Sequence, residues 1–183
     1  VGALAIAPLA RIIAIAVDPV VNSTLLNIGR MISAAAEQSP IIMGFLLGGI
    51  MKMICTSPLS SMALTAMLGL DGLAMGIAAI ACVGGSFTNG IIFDRLKLGE
   101  RSNVIAVMLE PLTQADIITQ NPIPIYGSNF FGGGLAGLAA AMLGIINNAP
   151  GTASPIPGLL APFGFNPPLK VVAAIVLAAI GGS

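Results

Sequence analysis

The chain has 183 residues, 56% of them hydrophobic and only 8% charged, with zero formal net charge and a mean hydropathy of +1.01. A soluble domain carries roughly 25% charged residues, so this composition excludes an ordinary water-soluble enzyme and points to an integral α-helical membrane protein. The sequence contains no His, which removes the commonest general base, proton shuttle and metal ligand, and it has no basic stripe of the kind that binds nucleic acid.

Taken in order, the chain predicts an all-α fold of polytopic transmembrane helices with one or two re-entrant hairpins or broken helices. Residues 1–183 read as a single membrane domain. The apolar start at Val1 is expected of the C-terminal part of a longer protein. Residues 1–17 are apolar apart from Arg11, and this helix is expected to end at Asp18-Pro19, because the residue before a proline avoids the α region. Residues 20–38 place Leu25, Leu26, Ile28, Ile32 and Ala35 at helical spacing between polar side chains, which predicts an amphipathic helix at the interface or across other helices.

Residues 41–55 form the next predicted helix. Its Gly44-x-x-x-Gly48 pattern fits close helix approach, either in a homodimer or, by preference, within the chain. Lys52 is expected to pair, to snorkel or to line a wet cavity, since an ammonium in hydrocarbon is costly. Cys55 and Cys82 read as buried small hydrophobes. The polar turn Thr56-Ser57-Pro58-Leu59-Ser60-Ser61 follows, and then residues 59–68, too short to cross a bilayer core of about 30 Å. Residues 40–93 are therefore read as a hairpin that enters the membrane, turns at Ser57-Pro58 and continues into a full span over residues 73–93.

Residues 94–101 (DRLKLGER) contain Arg95, Lys97 and Arg101, a basic cluster that predicts the cytoplasmic side. Past the apolar residues 103–109, Glu110-Pro111 is expected to break the helix, and Asn121-Pro122-Ile123-Pro124 to give an extended exit. Residues 126–146 predict a further span rich in glycine. Residues 147–165 are rich in Pro and Gly but uncharged, which fits an ordered, partly buried loop or a second re-entrant hairpin. Residues 169–180 are a last apolar segment.

No nucleophile-and-base set, phosphate-binding loop or metal-ligand cluster is present, so catalysis by this segment alone, a cofactor or a metal is not expected. What remains is a set of carboxylates, amides and hydroxyls gathered at the predicted helix breaks. Such groups bind hydroxyl-rich ligands by donating and accepting in pairs, and their place at broken helices points to a transport site. The candidate substrate-binding residues are Glu110, foremost, with Asp116, Asn121, Ser57, Thr56 and Asn147.

Residues 40–165 resemble the membrane-embedded IIC component of the bacterial phosphoenolpyruvate-dependent sugar phosphotransferase system, in the branch that includes the perfringolysin O regulator proteins. The residues that carry the resemblance are GFLLGGIM, Thr56-Ser57-Pro58-Leu59-Ser60-Ser61, the span over residues 69–85, Asn121-Pro122 and Asn147-Asn148 with the loop after them. The resemblance implies a sugar-binding and translocating subunit of the bacterial cytoplasmic membrane, crossing it several times among lipid. It also implies partners: cytoplasmic IIA and IIB components that carry the phosphoryl group. Two alternatives stay open, a membrane regulator without transport and an ion-coupled secondary transporter using Asp71, Glu110 or Asp116.

Overall fold

The computed structural model describes residues 2–183, with side chains from Val21 onward and, before it, at Pro8, Arg11, Ile15, Asp18 and Pro19. Every regular element among the described residues is helical. The first, α1 (Gly2–Gln38), is one continuous helix with Pro8 and Pro19 inside it. The break expected at Asp18-Pro19 does not occur, and residues 20–38 are not a separate amphipathic helix. An interior proline forfeits one backbone hydrogen bond, about 3 kcal/mol, but does not by itself end a helix in apolar surroundings. Near its end α1 docks on α3: Gly29 is buried with the Leu68 carbonyl against it, leaving no room for a side chain.

The next three helices, α2 (Pro40–Thr56), α3 (Ser61–Leu68) and α4 (Gly72–Arg95), occupy the stretch for which a hairpin and a span are expected, with the chain turning at Ser57-Pro58. Pro40 occupies the first turn of α2, where its missing N–H costs nothing. Ser60 caps α3 by accepting a hydrogen bond from the Ala63 N–H at 3.1 Å. Gly69 ends α3 at φ +60°, a left-handed position that favours glycine, with the Gly69 and Leu70 N–H groups donating back to Ala66 and Thr65.

At 24 residues, or roughly 36 Å, α4 is the one described helix both long and apolar enough to cross a membrane. It is buried along almost its whole length from Ala74 to Gly90, as expected of a helix that is apolar all round. The other helices are arranged about it.

Beyond α4 come α5 (Arg101–Leu109), a 3-10 turn over Pro111–Gln114 and α6 (Ala115–Gln120). The break expected at Pro111 is present. The extended exit expected at residues 121–124 is not: α7 (Pro122–Met142) starts at Pro122, with Pro124 still in its first turn. First-turn N–H groups have no partner within the helix, so proline is tolerated there. The chain ends through α8 (Pro155–Leu160), a 3-10 turn over Ala161–Gly164 and α9 (Pro168–Gly182).

Small residues set the packing. Gly44 and Gly48 of α2 meet Gly137 and Gly133 of α7 backbone to backbone, so the Gly44-x-x-x-Gly48 pattern is used within the chain. Gly84 of α4 meets Ala136 of α7 and Ala178 of α9. These pairings run α7 antiparallel to α4, and α2 and α9 parallel to it. The outward faces remain apolar: Ile41, Ile42, Leu46 and Ile50 on α2, Phe131, Leu135 and Met142 on α7, and Val172, Val176 and Ile180 on α9 are exposed. Continuous apolar outer surface of this kind belongs against lipid.

Three segments run only part of the way along α4 and turn back. The first is α3, which returns from the Ser57-Pro58 turn to the start of α4. The second is α5 to α6: Met108 reaches Gly90, Leu109 reaches Val83 and Ser86, and Ile118 returns to Phe93 and Ile125. The third is residues 147–164. The Asn147 N–H donates to the Gly72 carbonyl at 2.9 Å, Pro155 and Ile156 reach Val83 and Ser86, Gly158 lies on Ala79, and Asn166 returns to Ile146. Residues 147–165 thus form the ordered, returning segment that their uncharged, Pro-rich sequence predicts.

Candidate functional site

The tips of these three segments meet beside the middle of α4, in a cleft of about 120 Å³. The first tip contributes Leu59, Ser60, Ser61 and Met62, with Cys55 from the end of α2. The second contributes Glu110 and Leu112, and the third Ser154. Ser61 and residue 153 tie two tips together, the Ser61 hydroxyl donating to the Ala153 carbonyl at 2.5 Å. Cys55 and Cys82, both free and buried, lie side by side at this level.

Sequence explains why each tip stops where it does. Pro58 follows the α2 terminus, and the Ser57 hydroxyl donates to the Ile54 carbonyl at 2.7 Å and accepts from the Leu59 N–H at 3.2 Å. Glu110 precedes Pro111 and so leaves the α region, at φ −151° and ψ 98°. Its backbone carbonyl accepts from the Thr113 N–H and hydroxyl, whereas among the described residues no hydrogen bond holds its carboxylate. Ser154 likewise precedes Pro155, and α8 starts there. The result is an unengaged carboxylate facing hydroxyl groups at the starts of two short helices, whose first N–H groups also lack helical partners.

The remaining sequence candidates lie elsewhere. Thr56 is buried behind the cleft, where its hydroxyl accepts from Asn89 Nδ2 at 3.3 Å. Ser57 faces a separate apolar groove beside Met53, Ile54 and Tyr126. Asp116 is exposed on α6. Asn121 donates from Nδ2 to the Ile117 carbonyl at 3.1 Å and finishes α6. Asn147 is fully buried, donating to Thr152 Oγ1 at 2.8 Å and accepting from the Ala149 N–H at 3.0 Å, so it shapes the third tip from behind. Of the six, the structure brings only Glu110 into the cleft, with Ser60, Ser61 and Ser154 as its neighbours.

Behind the cleft, where α2, α4 and α7 cross, two polar layers are stacked one helical turn apart. The first is Lys52, whose side chain runs between Gly85 and Gly133 in space that a side chain at either position would fill. Lys52 is 0% exposed, so it does not snorkel, and among the described residues its Nζ has no hydrogen-bond partner. The second layer is Thr56, Asn89 and Asn129, linked by the 3.3 Å bond above and by Asn129 Nδ2 donating to Asn89 Oδ1 at 2.6 Å. Asn129 also donates to the Ile125 carbonyl at 2.8 Å, and its Oδ1 has no partner.

Sequence reading passes over Asn129 and also Asn166, which grips the Ile146 N–H and carbonyl at 3.0 and 2.7 Å. The signal for both is a lone amide among apolar residues, where an unpaired polar group is too costly to occur without a purpose. Two larger hollows, of about 280 and 340 Å³, open at the Arg95 end of α4. They hold Asp94 and Arg95 but lie away from the three tips, and their walls are largely apolar. Among the described residues no group of His, Cys, Asp or Glu side chains could hold a metal ion.

Compared with known proteins, residues 1–182 match the family model described as "Phosphotransferase system, EIIC". The match is to the family as a whole and does not select a branch. No curated protein and no solved structure matches the chain.

Proposed function

We propose a sugar-translocating role for this chain, which belongs to the phosphotransferase system EIIC family and is thereby a membrane protein. In this reading α4 and α7 cross the bilayer in opposite directions, with α2 and α9 parallel to α4, and the Arg95–Lys97–Arg101 end faces the cytoplasm. The three returning segments are then re-entrant. Two come from the outer side, at the breaks after α2 and α7, and one from the cytoplasmic side between α4 and α7.

The observation that carries the proposal is the meeting of the three tips at mid-depth around Glu110. Irregular backbone at that depth is tolerated only where it is packed in protein or lines a cavity, and substrate sites of transporters are built from such broken helices. A free carboxylate flanked by Ser60, Ser61 and Ser154 offers acceptors and donors to a vicinal diol without needing a charged ligand. Phosphorylation falls to the cytoplasmic IIA and IIB components, for which the basic end of α4 is the accessible surface.

Uptake and phosphorylation of radiolabelled hexoses and hexitols, in vesicles supplied with phosphoenolpyruvate, IIA and IIB, test this reading. The expected result is phosphoenolpyruvate-dependent accumulation of at least one sugar as its phosphate. Glu110→Gln should abolish it while the protein still folds and inserts. Uptake driven by a proton or sodium gradient instead selects a secondary transporter. Sugar binding without uptake selects a regulator.

A further inference from the structure

Lys52 has no part in the sugar-binding reading, and yet it is 0% exposed with no hydrogen-bond partner for its Nζ among the described residues. A cation sealed among helices must be compensated, and intramembrane charges pair with one another or mark functional sites. Gly85 of α4 and Gly133 of α7 lie against the Lys52 side chain, and among the described residues its Nζ has no hydrogen-bond partner. Below it lies the Thr56–Asn89–Asn129 layer, which is neutral. Asp71, Asp94, Glu100 and Asp116 are exposed at helix ends, and Asp18 and Glu37 are exposed on α1. Glu110 is exposed as well, but it alone of these carboxylates lines the cleft beside Cys55.

The geometry joins the two charges through one wall. Cys55 follows Lys52 by three residues and so shares its face of α2, while Cys82 precedes Gly85 by three residues on α4. Cys55 lines the Glu110 cleft, and Cys82 sits beside Cys55. The intervening layer is protein interior, with Cys55, Cys82 and Gly85 buried. Charges separated by such a layer act on one another far more strongly than across solvent. Among the described residues, Glu110 and Cys55 are the titratable groups lining the cleft; its remaining walls are Leu59, Ser60, Ser61, Met62, Leu112 and Ser154.

We propose that Lys52 is the buried counter-charge of Glu110, acting through the Cys55–Cys82 layer, so that the empty cleft is electrically neutral at mid-membrane. Lys52 is thus a positioning residue, which keeps a free carboxylate tolerable where the ligand needs one. The glycines at positions 85 and 133 serve this by giving the side chain a path between α4 and α7. The proposal uses the same cleft as the sugar-binding reading but does not depend on sugar being its ligand.

A double-mutant cycle on the purified full chain in detergent, without sugar, provides the test. Glu110→Gln alone strands the Lys52 charge and should lower Tm by about 5 °C. Lys52→Met alone leaves the Glu110 carboxylate uncompensated and should also lower Tm, by about 2–5 °C. The double variant should recover at least half of the Glu110→Gln loss. Lys52→Gln gives a second neutral background in case Lys52→Met yields no folded protein, with the same recovery expected. If Glu110→Gln lowers Tm equally with and without the Lys52 charge, or not at all, the proposal is overturned. Because the cycle contains no sugar, an additive cycle and a failed uptake assay are separate results.

Discussion

The helix α2 enters two regions built on opposite rules. Along Gly44, Gly48 and Gly49 it presses against α7 so closely that backbones touch, and the groups trapped there either bond one another or, like Lys52, are sealed in. At its end, past Cys55, the chain breaks at Ser57-Pro58 and contributes to a cleft where the Glu110 carboxylate has no hydrogen bond. The difference separates scaffold from site. Glycine removes the volume between helices and fixes them; proline removes backbone partners and leaves groups free to meet a ligand.

Substitutions should sort by region, and the largest effects belong to the scaffold. Gly48→Leu puts a side chain where its first carbon already meets the Gly133 carbonyl oxygen at 2.5 Å and Gly137 Cα at 2.9 Å. Backbone cannot yield as a side chain can, so a loss of about 3 kcal/mol or more is expected, seen as the absence of a monodisperse peak on size-exclusion chromatography. A normal yield would show that α2 and α7 are not held by close backbone contact.

Asn89→Leu comes next. It strips Thr56 and Asn129 of their shared partner and should cost about 1–3 kcal/mol, read as a Tm fall of several degrees. Sugar affinity should change little, because Asn89 does not line the cleft. A loss of binding with unchanged Tm would move the boundary between the two regions.

On the cleft side, Ser61→Ala removes the bond to the Ala153 carbonyl that joins two tips. Its stability cost should be near 1 kcal/mol. Its signature is functional: the KM for sugar uptake should rise several-fold with little change in Tm. The smallest effect belongs to Asp116→Asn, an exposed side chain outside both regions, expected within about 0.5 kcal/mol of the parent and within twofold in uptake. A large uptake defect there would return Asp116 to the site.

Much of this division is visible along the chain, but unevenly. Gly69 and Ser57-Pro58 mark the short α3 because their conformational demands are local. The same local logic misplaces two boundaries. Asp18-Pro19 has the signature of a helix end, yet α1 runs through it; Asn121-Pro122-Ile123-Pro124 reads as an extended exit, yet α7 begins there. A proline states which backbone bond is missing. Whether the missing bond falls in a helix interior, at a first turn or in a loop depends on the packing around it.

For the site, chemistry was legible and assembly was not. Glu110 stands out in sequence as a carboxylate beside a proline in apolar surroundings, and it does face the cleft. Asp116, Asn121 and Asn147 share its character, but the fold turns the first outward and spends the other two on their own loops. By itself the sequence determined the membrane class, the short α3 between Ser57-Pro58 and Gly69, and the residue types available to a ligand, because composition and these backbone restrictions are local properties. Only the tertiary structure decided that three interrupted segments, separated by some ninety residues at Ser61 and Ala153, end at one level of α4. That decision lies in the glycine contacts that fix how far each helix can slide against its neighbour, and no single stretch of chain contains both sides of such a contact.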